Sequence, residues 1–599
     1  MCRFGRTTRR TRSGWLKLKN NSFLNTNRTF LLTFSRPYRF TFIGGSLLVL
    51  VSVVTGALPV RLVQHFIDAL KAGTLDQAHI RKTVLEILGL ALISAVLLFY
   101  QRRWITSASR LIEYDIRKRA FDFLHEQPAA FYVKHKTGHI MSRLTNDLSQ
   151  VREMIGAGFL HLWRTGLNGA VIIGMMLSMN FFYAAIPLLP VIILPFASAT
   201  LMMRLSRMYA AIQEKLSHMN SVVQETFSGI GVVKAYGREA WRLEQFKRAN
   251  DDYYAATMSM ARLMGVIWPL FAFIAALSVI LLLFLGGRAV IRGEMTLGTL
   301  TALNIYLVML TWPLIGFGWV VSMIQRGMAS VKRLREFFLE NEAPVYQGSF
   351  SFQEGTIEVK KLSYRYPGSD KDALVDVTLT IPEGSRVALV GTVGSGKSTL
   401  VSLLSRIIDP PTDTIRMNNK DINDLERRSY REGVGLVPQE TILFSDTLQN
   451  NLEFGRNTSP ERLSEALAIS QLGRDLKDFP QGLETRLGER GINLSGGQRQ
   501  RAAIARALLR DPRLLILDDC LSSVDTDTEA EIISGLEAFF KGRTVLVVSH
   551  RVSVIRGSDY IYVLDEGRIC ESGNHDSLMR QKGLYVRLYE QQLLQEGEA

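Results

Sequence analysis

At 599 residues the chain is too long for a single hydrophobic core, so two or more domains are expected. Only 21% of its residues are charged and the mean hydropathy is +0.09, oily for a soluble protein of this size. The net charge of +15 leaves nucleic acid or an anionic membrane face open as partners, while Cys2, Cys520 and Cys570 lie too far apart for a disulfide framework or a zinc site.

Residues 1–36 form a basic N-terminal tail. Arg3, Arg6, Arg9, Arg10, Arg12, Lys17, Lys19, Arg28, Arg36 and Arg39 fall in the first 40 residues, which hold no acid. No apolar core with a small-residue cleavage site follows, so the stretch does not read as a secretory signal. An organellar transit peptide is one reading; the plainer one is a disordered cytoplasmic tail beside an anionic leaflet. Phe30 to Phe34 reads as a short lead-in lying flat on the membrane.

Six apolar runs come next: about 40–63, 84–100, 165–179, 184–203, 263–285 and 297–323. Several approach or exceed the ~20 residues needed to cross a bilayer. They hold aromatics and methionines and almost no charge, with Glu86 the main exception. The connections 101–164 and 204–262 are rich in Lys and Arg, and the others are poor in them. By the positive-inside rule both long connections, the N-terminus and everything after Met323 lie in the cytoplasm, which accounts for the net charge without nucleic acid. Both connections are helical in pattern and read as helices running out of the membrane and back, with turns near Phe131–Asp147 and Glu225–Glu239.

From about Asn341 strands alternate with helices. Tyr366 sits where an aromatic ring could stack on a purine or merely pack a strand end. Arg386–Val390 reads as a buried strand leading into Gly391-Thr392-Val393-Gly394-Ser395-Gly396-Lys397-Ser398-Thr399, and a helix follows. Glycines at this spacing let backbone N–H groups and a helix N-terminus face a polyphosphate. Lys397 can reach its β- and γ-phosphates, and the Ser398 hydroxyl can ligate Mg²⁺. Val434–Val437 is a short strand before Gln439, whose amide can reach Mg²⁺ or an attacking water. Ser495-Gly496-Gly497-Gln498 opens another helix, a second anion-binding N-terminus without a lysine, suited to cover another subunit's γ-phosphate. Leu514–Asp518 is a buried strand ending in Asp518, which suits Mg²⁺, and Asp519 follows it, placed to polarise the hydrolytic water. Ser522-Ser523-Val524-Asp525 comes next, and the strand Thr544–Val548 leads to His550 beside the same crevice.

Taken together, Tyr366, GTVGSGKST, Gln439, LSGGQRQR, LLILDD, SSVD and His550 resemble the nucleotide-binding domain of an ABC transporter. The six spans and two cytoplasmic hairpins resemble the membrane domain of the type IV ABC exporters. The resemblance covers nearly the whole chain beyond the tail. It implies an all-α six-span membrane bundle with long cytoplasmic helical extensions over 37–335, followed by an α/β P-loop domain over 336–599. It also implies ATP and Mg²⁺ as cofactors, ATP hydrolysis coupled to transport, and pairing of two half-transporters with each ATP between one phosphate loop and the other subunit's LSGGQ.

One position departs from the family pattern. Asp519 stands where the family has its catalytic Glu after the Walker B Asp, and its side chain is one methylene shorter. General-base catalysis contributes about 10²–10⁴-fold, so partial loss slows hydrolysis severely. An intact LSGGQ and His550 beside a degenerate carboxylate resemble the Mdl-A-like subunit of heterodimeric multidrug-type exporters. The expected partner is a second half-transporter with Glu after its Walker B Asp, working in a bacterial inner membrane on amphipathic or apolar small molecules or lipids. Alternatives are a homodimeric lipid flippase, an organellar exporter, or an ATP-gated regulator of another membrane protein. The spans argue against a soluble ABC ATPase of DNA repair or translation.

Overall fold

The structure is a computed structural model that describes residues 26–340, 350–352, 354–488, 491, 493–549 and 551–597. His550 and the tail before Thr26 lie outside the described residues. The chain divides into two compact units, Met1–Glu126 with His135–Asn341, and Gln127–Lys134 with Glu342–Ala599.

In the helical unit, among the described residues, five helices are long and apolar enough to cross a membrane: Asn27–Lys71, Gln77–Glu126, Phe181–Ser228, Glu239–Ile291 and Leu297–Leu339. The remaining expected span falls on Phe159–Met179, whose 21 residues suffice in length but include Arg164 and Asn168. Three of these helices have 50, 48 and 53 residues. At 1.5 Å per residue each reaches about 72–80 Å, more than twice a ~30 Å hydrocarbon core. The long extensions expected from the sequence are therefore helical.

Two details differ from expectation. Thr26 caps the helix Asn27–Ser35, exchanging hydrogen bonds with Thr29, and the Phe30 and Phe34 side chains are buried. The Phe30 ring lies 6.1 Å from Phe338, and Phe338 lies 5.3 Å from Phe123. This segment docks on protein instead of lying with those rings in lipid. Arg61, inside the first apolar run, is a charged group in the runs besides Glu86; its guanidinium donates to Ser178 Oγ at 2.7 Å. At the far end of the same helix, Asp68 accepts from the Gly298 N–H and the Thr296 hydroxyl, both at 2.9 Å, and so caps the helix Leu297–Leu339. A Cβ on Gly298 would stand 2.3 Å from the Gln64 carbonyl, so the contact requires glycine.

The second unit contains ten strands among the described residues: β1 Ile357–Tyr364, β2 Leu374–Ile381, β3 Arg386–Gly391, β4 Ile415–Met417, β5 Lys420–Asp421, β6 Val434–Val437, β7 Leu514–Asp518, β8 Thr544–Val548, β9 Tyr560–Asp565 and β10 Arg568–Gly573. A four-stranded antiparallel sheet has the order β2-β1-β4-β5. A six-stranded sheet has the order β10-β9-β3-β8-β7-β6, parallel except for β10. Every residue of β7 and β8 is buried, as their aliphatic runs demand. Since β3, β6, β7 and β8 run the same way, the phosphate loop, Gln439, Asp518 and Asp519 all emerge at one end of the sheet, where open α/β sheets bind ligands.

Candidate functional site: a nucleotide cleft and a separate signature helix

Between β3 and the helix Lys397–Leu404 the backbone turns through Gly394 at φ +82° and Gly396 at φ +103°. A Cβ at Gly396 would come 2.6 Å from the Ala373 carbonyl, so the turn is closed to any larger residue. Lys397 is buried, and its ammonium donates to the carbonyls of Gly391 at 2.9 Å and Thr392 at 2.7 Å, and to Ser395 Oγ at 3.4 Å. Thr392 Oγ1 donates to Asp565 Oδ1 at 2.9 Å, tying the loop to the end of β9.

Val393 to Thr399 line a cleft of about 650 Å³ with Gln439, Asp518 and Asp519. Lys371, Asp372 and Glu566, which sequence reasoning did not single out, line it too. Burial holds the Lys397 ammonium below the ordinary lysine range, against the pull of the Asp518 and Asp519 charges. Burial and the neighbouring Asp519 charge raise the Asp518 carboxyl, while a hydrogen bond with Ser398 and the Lys397 charge pull it down. Two acids and a buried cation thus share one space.

Asp519 has a left-handed backbone, φ +47°, fixed by its N–H donating to the Val548 carbonyl at 2.7 Å. For a non-glycine residue this conformation is uncommon and costs roughly 1–3 kcal/mol. It turns the side chain toward Gln439, whose Nε2 stands 3.5 Å from Asp519 Oδ2. Tyr366 is half-buried, its ring 5.2 Å from Tyr364 and its hydroxyl 3.2 Å from Thr399 Oγ1. That hydroxyl contact links it to the helix that follows the loop.

Ser495, Gly496, Gly497 and Gln498 do not line this cleft. They open the helix Gly496–Leu509 with a reciprocal cap: Ser495 Oγ accepts from the Gln498 N–H at 3.2 Å, and Gln498 Oε1 accepts from the Ser495 N–H at 3.0 Å. Gln500 clamps this helix to the loop after β7, donating to Ser522 Oγ at 2.9 Å and accepting from the Ser523 N–H at 2.9 Å. A second glycine-opened helix N-terminus therefore stands outside the cleft and carries no lysine.

This arrangement has relatives. Residues 41–314 match the family described as ABC transporter transmembrane region, and residues 374–522 match the family described as ABC transporter. The chain is 32% identical to the probable multidrug resistance ABC transporter ATP-binding/permease protein YheI of Bacillus subtilis, over 94% of this chain and 97% of that protein. The chain belongs to the ABC transporter family. It is 31% identical to the multidrug resistance-like ATP-binding protein MdlA of Escherichia coli, over 94% of this chain and 96% of that protein. Identity to the ATP-dependent lipid A-core flippase of Vibrio cholerae is 32%, over 93% and 96%. Its fold is similar to that of a bacterial Atm1-family ABC exporter with ATP bound, at TM-score 0.78 and 26% identity, over 92% of this chain and 99% of that one. As a member of this family the chain is an exporter half-transporter, a multi-pass membrane protein that binds and hydrolyses ATP and couples hydrolysis to transport.

Proposed function

We propose that this chain is one half of a heterodimeric ABC exporter that moves amphipathic or apolar small molecules or lipids, with a slow ATP site at Asp519. The observation that carries the reading is the short acid at the position of the family's catalytic Glu, facing Gln439 across 3.5 Å while the rest of the cleft keeps the expected residue types. Domain bounds of 37–335 and 336–599, a cytoplasmic nucleotide domain and a bacterial inner-membrane location belong to the same reading. His550 is assigned its catalytic role from the sequence pattern alone.

The cleft's residues fit a magnesium nucleotide. Ser398, Gln439 and Asp518 offer hard oxygen donors around one space, as Mg²⁺ requires. Mg²⁺ held by these residues would supply neutralisation of the phosphate charge. Lys397 exchanges its own loop carbonyls for phosphate oxygens, and the loop N–H groups orient the chain of phosphates. Asp519 holds the attacking water with a carboxylate one methylene short, which keeps this site's turnover low. Ser495 to Gln498 complete the partner's site, whose Glu carries most of the hydrolysis. The Escherichia coli relative named multidrug resistance-like is in keeping with this; the relative named lipid A-core flippase keeps the homodimeric reading as the runner-up.

Affinity purification of the full-length chain from its native membrane tests the proposal. A second half-transporter bearing Glu after its Walker B Asp is expected in equal amount. A complex of this chain alone with full ATP turnover overturns it.

A further inference from the structure

Asp475 ends the short helix Leu472–Asp475 and belongs to none of the motifs. Its carboxylate nonetheless meets the signature helix at two positions on one face, Gln498 and Arg501. Arg501 grips it with Nε at 3.1 Å and one terminal nitrogen at 2.9 and 2.7 Å, in a pair whose side chains are 11% and 14% exposed. Gln498 Nε2 donates to Asp475 Oδ1 at 3.3 Å. The same Gln498 amide turns its oxygen to the Ser495 N–H.

That amide has one self-consistent orientation. Reversing it would set an NH₂ against the Ser495 N–H and an oxygen against the Asp475 carboxylate, two repulsions in place of two hydrogen bonds. Asp475 and the Ser495 N–H therefore together fix which way Gln498 faces, and Asp475 supports the reciprocal cap from outside the helix start. Arg501 holds Asp475 in turn, with one guanidinium nitrogen 3.6 Å from where a Cβ on Gly497 would stand. We propose that Asp475 is a positioning residue for the signature: through Gln498 it holds the Ser495–Gln498 helix start in the shape that receives the γ-phosphate of the opposing ATP. This rests on the reading that the signature completes another subunit's site.

Charge alone argues the opposite way. A carboxylate near a helix N-terminus repels phosphate, and removing it would leave Arg501 free to attract phosphate. Asp475→Asn therefore separates position from charge, since the amide is nearly the same size and neutral.

The test uses the full-length complex with three readouts: labelling of this chain's own phosphate loop by a photoreactive ATP analogue, kcat for ATP hydrolysis, and a double-mutant comparison with Gln498→Ala. Misplacement of a binding group by about 1 Å can cost about a hundredfold, so Asp475→Asn is expected to lower kcat by about tenfold to a hundredfold with labelling unchanged. Asp475→Glu should recover much of the loss. In the Gln498→Ala background the Asn change should add little, because its route of action is already gone. Unchanged or raised kcat overturns the proposal, as does full additivity with Gln498→Ala. Loss of labelling together with kcat also overturns it, since that marks a merely structural carboxylate. Ser495→Arg run alongside separates the two levels. If it too leaves hydrolysis intact, the signature reading itself fails; if it alone abolishes hydrolysis, only the role of Asp475 falls.

Discussion

The phosphate loop and the signature are both helix N-termini opened by glycines, yet they are built for different tasks. The loop carries its own cation: Lys397 is buried, folded onto the Gly391 and Thr392 carbonyls, and faces a cleft with two acids. The signature has no lysine, pairs the Ser495 and Gln498 N–H groups through its reciprocal cap, and lines no part of that cleft. A helix N-terminus alone contributes about 0.3–1 kcal/mol toward a bound anion, too little to hold a nucleotide against water. On the proposed reading the first region binds ATP unaided, and the second acts on a phosphate that another loop presents. This difference makes one chain half of a machine.

Removing the cation should break the comparison at its strongest point. Lys397→Ala takes away charge-assisted hydrogen bonds worth about 1.5–3 kcal/mol each, so ATP affinity at this chain's loop should fall about a hundredfold or more. Labelling by a photoreactive ATP analogue reads this directly. Undiminished labelling would mean that the loop is not the nucleotide site.

The signature should show the reverse pattern. Ser495→Arg destroys the reciprocal cap and fills the space meant for a phosphate. Loss of such preorganised donors costs about 10²–10³-fold in turnover. Hydrolysis by the complex should nearly stop, while labelling of this chain's own loop persists. If labelling is lost as well, the two regions are not separate.

The local shape of these regions is legible because each motif is a contiguous string that depends on backbone conformation. Gly394 and Gly396 adopt the positive φ that the pattern requires, and Ser495 caps the helix that the pattern predicts. What the sequence hid are contacts between distant strings. Gln500 against Ser522 and Ser523, Thr392 against Asp565, and Asp475 against Gln498 join residues with no shared spacing rule. Phe30 and Phe34 were misread for a related reason. An apolar face does not say whether lipid or protein covers it, and here Phe338 lies against Phe30. Arg61 was passed over because one charge scarcely alters the apolarity of a run, although its hydrogen bond to Ser178 shows that it is held.

Tyr366 offers a smaller effect. Its hydroxyl stands 3.2 Å from Thr399 Oγ1, next to the loop that carries the cation, although Tyr366 is not among the residues that line the cleft. Base stacking is worth about 1–3 kcal/mol, so Tyr366→Ala should weaken ATP binding about fivefold to a hundredfold. Tyr366→Phe should keep most of the affinity if stacking is the cause. Equal losses from both changes would assign the role to the hydroxyl and its contact with Thr399.

The smallest change is expected at Asp519, and it bears most directly on how the two regions are shared between subunits. In a heterodimer, Asp519 serves a site that is already slow, while Ser495 to Gln498 serve the fast one. Asp519→Ala should then lower total hydrolysis by less than about threefold, because a general base is worth about 10²–10⁴-fold only where it is working. In a homodimer every site holds Asp519 and every site is closed by the same signature, so Asp519→Ala and Ser495→Arg should both cost turnover heavily. Equal large losses in one purified complex therefore defeat the heterodimer. Asp519→Glu moves the carboxylate outward by one methylene from a backbone already turned toward Gln439. Turnover should rise, and the added hydrolysis should come from this chain's loop, so Lys397→Ala in the same chain should abolish the gain. A gain that survives Lys397→Ala would show that the longer acid acts at the other site.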